Sequence, residues 1–301
     1  MPGRTPQERR HVSMASSIGS AADTLHDDDF RRVAALVKDH CGINIVIDKK
    51  SLLEGRLRKR VRALGFPSCS DYCDFLFSPN GRARELVPMI DAVTTNTTSF
   101  FREPWHFTYL ANTALPELVR MTGAGSARKI RLWSAACSTG EEPYTLAMAM
   151  AECANALRVF DWGILATDIA GTVLEAAELG VYRQDQIEPI PMKLRMKYLL
   201  KGRSPGSKSV RMTQDMRDRI EFRRLNLLTE VGRLRDQMDV IFCRNVIIYF
   251  DVPTQERIVR SLYDRLVPGG YLFMGHSESL MHIPLKMTYE SASIYRKAGG
   301  E

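Results

Sequence analysis

What this sequence lacks removes several kinds of protein at once. No run of eighteen apolar residues occurs in its 301 positions, so no segment is expected to span a membrane. The basic N-terminus has no apolar stretch behind it, which argues against secretion. Six cysteines, Cys41, Cys69, Cys73, Cys137, Cys153 and Cys243, make no pair of closely spaced pairs and have no histidine at ligand spacing. That usage points to free thiols in the cytosol, with no zinc site and no disulfide framework. The phosphate-binding signatures Gly-x-Gly-x-x-Gly and Gly-Lys-Ser/Thr are also missing, so readings built on NAD or ATP lose ground.

What is present describes a globular chain, 45% hydrophobic and 26% charged, long enough for one large or two modest domains. Its formal charge of +7 suits an anionic partner or an anionic patch on a protein. The centre of organisation is the stretch from Arg131 to Ala147. Ile130, Leu132 and Trp133 read as a short buried strand, and Ala147 to Cys153 as a closely packed helix. Between them, Ser134 to Gly140 are so small that a ligand can approach the backbone. A strand, a tight turn and a helix N-terminus bind nucleotides in doubly wound α/β proteins. Here the turn runs into Glu141 and Glu142, which would repel phosphates. They either accept hydrogen bonds from an amine or a ribose, or merely cap the helix at its positive end. Downstream, Trp162 to Thr167 form a second apolar strand ending at Asp168. An acid at that place holds a ribose in such folds, or else caps a helix over Thr172 to Leu179.

Residues 1–26 read as a flexible tail containing Arg9 and Arg10, and 27–93 as a small all-helical domain. Its first helix carries Phe30, Val33, Leu36 and Val37 and stops at Gly42. Asp48 is expected to cap a second, with Leu53, Leu57, Val61 and Leu64 on one face and Gly65 at its end. Ser70 or Asp71 should start a third, Pro79-Asn80-Gly81 a turn, and a fourth helix should follow from about Arg82 to Val93. The second helix also carries Arg56, Arg58, Lys59, Arg60 and Arg62. That face is either an ordinary solvated one or a docking surface for an acidic partner, nucleic acid or protein. From Thr94 to Pro104 no period is visible, and hydroxyls, Asn96, Thr98, Phe100, Phe101 and Arg102 crowd into what reads as a functional loop. An amphipathic helix follows from Trp105, with Pro116 near its end.

Residues 94–297 alternate strand and helix, which predicts a mostly parallel sheet covered on both sides. The pattern breaks over 182–224, where a small insertion with a short antiparallel element is expected, its strand edge able to pair with a peptide. Met238 to Cys243 is a nearly continuous apolar strand ending in Arg244-Asn245. Pro268-Gly269-Gly270 reads as a turn before a strand over Tyr271 to Met274, and an antiparallel return through Met287 and Tyr289 leads to a last strand at Ser293 to Tyr295. Glu141, Asp168, Asn226 and Asn245 all fall at carboxyl ends, where ligand groups gather in such sheets.

Six segments carry a resemblance. Asn96-Thr-Thr-Ser-Phe-Phe-Arg-Glu-Pro104, Ser138-Thr-Gly-Glu-Glu-Pro-Tyr144, Ala166-Thr-Asp168, Leu225-Asn-Leu-Leu228, Phe242-Cys-Arg-Asn-Val-Ile-Ile-Tyr-Phe-Asp251 and Gly275-His-Ser-Glu-Ser279 are similar, in order and spacing, to motifs of the chemotaxis receptor methyltransferases. The resemblance spans roughly 27–297. It implies a Rossmann-like class I methyltransferase domain with a small β-subdomain, preceded by a small all-helical domain. It implies methyl transfer from S-adenosylmethionine to glutamate side chains of chemoreceptors, giving methyl esters and S-adenosylhomocysteine without a metal. Asn96, Thr98, Arg102, Glu141, Asp168, Asn226, Leu227, Arg244 and Asn245 would line the cofactor pocket, with Arg102 and Tyr249 facing the transfer centre. Arg56, Arg58, Lys59, Arg60 and Arg62 would lie on the receptor-facing helix. The protein would be a cytoplasmic monomer recruited to receptor arrays, meeting the receptors' cytoplasmic signalling helices and neither nucleic acid nor the membrane interior. The family's grip on a receptor C-terminal peptide is not carried over, because the loops of 182–224 depart in composition.

The chemistry agrees with that resemblance. A free glutamate has a pKa of about 4.3, so the nucleophile is already ionised at neutral pH and needs no base. Arg102 then reads as an orienting group, Tyr249 as a neutral hydrogen-bond donor and His276 as structural. Two other classes stay open at this stage. A nucleic-acid methyltransferase would want an Asn/Asp-Pro-Pro-Tyr/Phe segment, which is absent. A cofactor-binding signalling scaffold would show the same polar positions.

Overall fold

The computed structural model describes residues 24–157, 161–202 and 206–299. Most of the expected tail, Arg9 and Arg10 included, lies outside the described residues, as do Arg203, Ser204 and Pro205 within the expected insertion. The chain divides into two compact units. One takes in the residues up to Val33 with Ile47–Ala92, and the other Ala34–Val46 with Val93–Glu301.

The smaller unit is helical. Order begins ahead of the expected boundary, for Leu25 is fully buried and gives its N–H to Glu54 Oε2 at 3.1 Å. Helix α1, Asp27–Cys41, opens on three aspartates in its first turn, where the helix dipole favours them, and passes into the other unit after Val33. Helix α2, Lys50–Leu64, follows a 3-10 turn, Ile47–Lys49, that absorbs Asp48. No side chain caps it, contrary to the expected role of Asp48, while Gly65 at φ 72° closes it. Helix α3, Cys69–Phe77, is capped by Ser68, whose Oγ accepts the Asp71 N–H at 3.1 Å, so it starts before Ser70. Helix α4, Pro79–Val93, uses the expected turn Pro79-Asn80-Gly81 as its first turn. A proline there sacrifices no needed N–H, and Ser78 Oγ takes up that of Gly81 at 3.0 Å. Leu53, Leu57, Val61, Leu76 and Ile90 are buried around a polar centre. There Glu85, 3% exposed, holds Arg60 through two bonds of 2.6 and 2.9 Å and the Tyr72 hydroxyl at 3.0 Å.

In the larger unit, α5, Pro104–Tyr109, runs through a π turn, Leu110–Ala114, into α6, Leu115–Thr122. Pro116 therefore lies inside a continuing helical stretch and does not end it. The Leu115 N–H reaches back five residues to the Leu110 carbonyl, a widened turn that carries the chain past a residue with no N–H to give. The elements that follow are β1 (Ile130–Ala135), α7 (Glu141–Leu157), β2 (Trp162–Asp168), α8 (Gly171–Leu179), β3 (Val181–Arg183), α9 (Met192–Tyr198), β4 (Leu199–Lys201), β5 (Ser209–Met212), α10 (Gln214–Arg217), β6 (Ile220–Arg224), β7 (Met238–Cys243), α11 (Val252–Arg265), β8 (Leu266–Met274), β9 (Met287–Ser291) and β10 (Ile294–Lys297).

The large sheet has the order β6-β2-β1-β7-β8-β10-β9, parallel from β6 to β8 and antiparallel through β10 and β9. A separate antiparallel sheet, β3-β5-β4, forms the small subdomain. Ile220–Arg224 does not belong to it but edges the large sheet beside β2. The expected turn at Pro268-Gly269-Gly270 proves to be part of β8, which absorbs it through a register shift against β7 and a positive φ of 78° at Gly269. Along β7, Val240 and Phe242 enter one buried cluster while Ile241 and Cys243 enter another. Both sheet faces are therefore covered, which is why this strand is apolar at nearly every position.

Candidate active site

From β1 the chain builds outward to β2 and β6, then returns to place β7 and β8 on the other side of β1. The topology reverses between β1 and β7, and ligands of doubly wound folds bind at the carboxyl ends beside such a reversal. Left-handed backbone concentrates there. Of the six non-glycine residues with positive φ among the described residues, Phe101, Glu103, Ala136, Ser138 and Asn245 lie in the three loops hydrogen-bonded around this edge, and Ser293 lies elsewhere. Each costs about 1 to 3 kcal/mol, a strain that persists where the surrounding structure fixes it and that marks functional loops.

The turn from β1 into α7 is closed from behind by Tyr182, whose hydroxyl donates to the Thr139 carbonyl at 2.8 Å. Gly140 is required: at φ 94°, a Cβ there would stand 2.8 Å from the Tyr182 hydroxyl and 2.9 Å from the Ala177 Cβ. Asp168, at the tip of β2, accepts the Ser138 N–H on Oδ2 at 2.9 Å and the Ala170 N–H on Oδ1 at 3.0 Å. Helix α8 has Ala170 as its N-cap, so Asp168, through these two bonds, ties the strand tip both to the turn and to the start of that helix. The Ser138 hydroxyl in turn donates to the Asn96 carbonyl at 2.7 Å, bringing the 94–103 loop to the same place.

Glu141 and Glu142, neighbours on a helix that turns about 100° per residue, part company. Glu141, 3% exposed, accepts the Thr139 hydroxyl at 2.7 Å; burial raises its pKa and that hydroxyl opposes the rise. Glu142 accepts the Ser134 hydroxyl at 2.7 Å and the Arg244 Nε at 2.8 Å. Arg244 has a side chain only 2% exposed, its guanidinium 5.2 and 5.4 Å from the centres of the stacked rings of Phe107 and Phe242. Its Nη1 donates to the Arg102 carbonyl at 2.7 Å and meets His106 Nδ1 at 2.9 Å. Because a guanidinium only donates, Nδ1 is unprotonated and the ring is the neutral Nε2–H tautomer. Burial, reinforced by the Arg244 charge, pushes the His106 pKa down to about 3.

A pH dependence of stability follows. The unfolded chain takes up a proton at His106 near pH 6.5 that the folded chain refuses until about pH 3, so the folded state loses ground as pH falls through that window. Between pH 7.5 and 5.5 the wild type should lose about 1 kcal/mol more than His106→Gln does, measured by urea unfolding. Parallel losses in the two proteins would show that His106 protonates freely in the fold.

The other sequence candidates divide. Arg102 is half-buried, its Nη1 donating to the Thr97 carbonyl at 3.3 Å, and Asn96 and Thr98 sit half-buried in the same loop. Asn245 donates from Nδ2 to Glu103 Oε1 at 3.3 Å. Asn226 spends its side chain on framework, accepting the Leu228 N–H at 2.9 Å and donating to the His40 carbonyl at 2.7 Å. Leu227 is buried in the adjoining apolar cluster. Tyr249 closes a 3-10 turn, Ile247–Tyr249, just past the β7 tip. Sequence reasoning missed Glu103, His106 and Glu278, buried groups whose partners lie far along the chain. In the smaller unit, Arg58 pairs with Glu54 and Arg60 is committed to Glu85, whereas Lys59 and Arg62 are exposed and Arg56 is half-buried. Among the described residues no group of His, Cys, Asp and Glu could hold a metal ion, and no helix is long and apolar enough to cross a membrane.

An acidic turn at the switch point suits a nucleoside carried on a cationic sulfonium and not one carried on a pyrophosphate. Fold and site together define a methyltransferase of the S-adenosylmethionine-dependent α/β class. The profile of the CheR methyltransferase SAM binding domain matches residues 96–296, and that of the CheR methyltransferase all-alpha domain matches 28–94. The chain belongs to the CheR methyltransferase family, and is an S-adenosylmethionine-dependent methyltransferase that acts on glutamate side chains of chemoreceptors. A chemotaxis protein methyltransferase of Escherichia coli is 37% identical over 90% of this chain and 91% of its own length. Chemotaxis protein methyltransferase 2 of Pseudomonas aeruginosa is 37% identical over 90% and 93%. Among solved structures, an O-methyltransferase family protein from Burkholderia thailandensis covers 83% of this chain and 72% of its own at 13% identity, with a TM-score of 0.37.

Proposed function

We propose that methyl transfer takes place at the carboxyl ends of β1, β2 and β7, with Asp168 and Glu141 as acceptors on the nucleoside side. The observation that carries this reading is the Asp168 carboxylate, 6% exposed at the β2 tip and hydrogen-bonded to the N–H of Ser138 in the small-residue turn. S-adenosylmethionine supplies, when bound, a methyl group activated on a sulfonium. The protein's own residues orient and exclude water. Arg102, with guanidinium N–H groups beyond its one long bond to Thr97, serves as a cation for the cofactor's carboxylate. Asn96, Thr98 and Asn245 contribute polar groups from the loops around the turn, and Leu227 an apolar wall. Arg244 holds the loop bearing Arg102 from behind through the Arg102 carbonyl, and the Asn226 side chain steadies the loop that carries Leu227. Tyr249 donates a neutral hydrogen bond to the incoming carboxylate, which is ionised at neutral pH, so no residue is needed as base. His276, exposed and joined to Glu103 only through its backbone N–H at 3.3 Å, has no part in proton transfer.

The test is direct. Cofactor carrying a labelled methyl group, incubated with the protein and membranes bearing cognate receptors, should label protein in a linkage that mild alkali releases as methanol. Alkali-stable label, or label recovered in nucleic acid, would remove the glutamyl ester from consideration.

We further propose that the protein acts as a monomer recruited to receptor arrays, docking on the receptors' cytoplasmic signalling helices through α2. The charge test must spare Arg60, because reversing it would set a second carboxylate against buried Glu85. Reversing Arg56, Lys59 and Arg62 to glutamate should raise the receptor KM about tenfold and leave the Kd for S-adenosylhomocysteine within twofold. The basis is that α2 belongs to a different compact unit from the strand-end site. A matching loss of cofactor affinity would assign the face to the fold.

A further inference from the structure

Glu278 is a buried carboxylate that the reaction as derived above does not use. It is 3% exposed and comes from the segment after β8, about thirty residues beyond the loop it serves. Four backbone N–H groups converge on it. Oε2 accepts from Asn245 at 2.7 Å and from Gly275 at 2.7 Å; Oε1 accepts from Ile247 at 2.9 Å and from Ile248 at 3.3 Å. Three of the four belong to the turn that leaves β7, which begins with Asn245 in left-handed backbone at φ 57° and ends at Tyr249.

A short loop with a strained residue and three N–H groups pointing one way has no backbone acceptor of its own to satisfy them. Glutamate at 278 answers that need as no neutral side chain can, for it offers two oxygens and about four lone-pair sites and carries no donor. Glutamine of the same shape would turn an NH2 group toward two N–H donors. Burial raises the Glu278 pKa while the backbone N–H groups of Asn245, Gly275, Ile248 and Ile247 hold it down, the balance expected of a carboxylate solvated by peptide dipoles. Among the described residues, the charged side chains beside the same turn are Glu103, bonded to Asn245 Nδ2, and Arg244 in the chain before it. Neither contacts the Glu278 carboxylate.

We infer that Glu278 is a positioning residue for methyl transfer, fixing the 245–248 backbone so that the Tyr249 hydroxyl stands where the substrate carboxylate arrives. This inference rests on the reading of Tyr249 given above. Gly275 belongs to the same device: its backbone approaches so closely that a Cβ would lie 2.7 Å from Glu278 Oε2 and 2.8 Å from the Asn245 nitrogen.

The experiment is a double-mutant cycle with kcat, the receptor KM and the Kd for S-adenosylhomocysteine measured on the full chain. Tyr249→Phe alone should lower kcat about tenfold. Glu278→Gln alone should lower kcat at least tenfold, with cofactor Kd changed less than threefold. In the Tyr249→Phe background the same Glu278→Gln change should cost less than threefold, because a misplaced ring without its hydroxyl has little left to lose. Multiplicative losses in the double variant would overturn the inference and leave Glu278 a purely structural group. So would a fall in activity matched by the fraction of protein unfolded. If Tyr249→Phe is itself without effect, the reading of Tyr249 fails; if only Glu278→Gln is without effect, the positioning role fails alone. Should Glu278→Gln not fold, Gly275→Ala tests the same contact by displacing the carboxylate, and full kcat in that variant would equally overturn the inference.

Discussion

Glu142→Ala should destabilise the protein by about 3 kcal/mol, the cost of leaving a buried guanidinium without the carboxylate that is hydrogen-bonded to it. Arg244 cannot carry its charge to water, since its side chain is 2% exposed, and the carboxylate that would remain, Glu103, stands at 3.6 Å, beyond hydrogen-bond reach. The result should be a fall of roughly 10 °C in Tm, read by calorimetry. Replacing both partners, with Glu142→Leu and Arg244→Met, should recover only part of the loss. Apolar pairs commonly substitute for buried ion pairs without penalty. Here, however, the Arg102 carbonyl and His106 Nδ1 would lose the donor they share, at 2.7 and 2.9 Å. Full recovery would show that the pair stabilises through charge alone and that the loop bearing Arg102 does not depend on it. An unchanged Tm in Glu142→Ala would show that Arg244 is not held as the structure places it.

This network explains which parts of the site were legible in the sequence. The strand ending at Asp168 and the small-residue turn before Glu141 are local patterns, set by the side-chain period of a buried strand and by the space a tight turn allows. They appear where they were expected. Both adjacent glutamates are buried, and which of them meets a cation is not local: the partner of Glu142 is Arg244, 102 positions away, and nothing near them in the chain tells the two apart. The basic helix shows the same limit. Five cations read alike, yet Arg60 is committed to a buried carboxylate on another helix, at Glu85. Glu278 was visible only as one letter of a motif, because the N–H groups it satisfies come from a loop some thirty residues earlier. The misplaced boundaries have a common cause as well. Pro79, Pro116 and Pro268 were read as ends or turns, whereas a helix start, a π turn and a strand bulge each tolerate a residue without an N–H.

The contrast between Asp168→Ala and Tyr249→Phe should separate binding from chemistry. Asp168 meets the site with a charge, and it also closes the Ser138 and Ala170 N–H groups at 2.9 and 3.0 Å. Its removal takes a charged acceptor from the ribose position, worth roughly 1.5 to 3 kcal/mol. The turn proposed to lie against the nucleoside is loosened in the same stroke. The Kd for S-adenosylhomocysteine should therefore rise by roughly ten- to a hundredfold, measured by calorimetry well below the variant's own Tm. At saturating cofactor, kcat should fall much less. Tyr249 makes no hydrogen bond through its hydroxyl among the described residues, and its ring is held at the end of the 3-10 turn beyond β7. Loss of that hydroxyl should leave cofactor affinity within twofold and lower kcat about tenfold, the mark of an interaction made in the transition state and absent from the cofactor complex. The pattern cannot be produced by a general loss of folding, which would move both quantities in both variants. Were Asp168→Ala to bind the cofactor product as tightly as the wild type, the nucleoside would have to lie elsewhere along the strand ends, and the assignment of Glu141 would fall with that of Asp168.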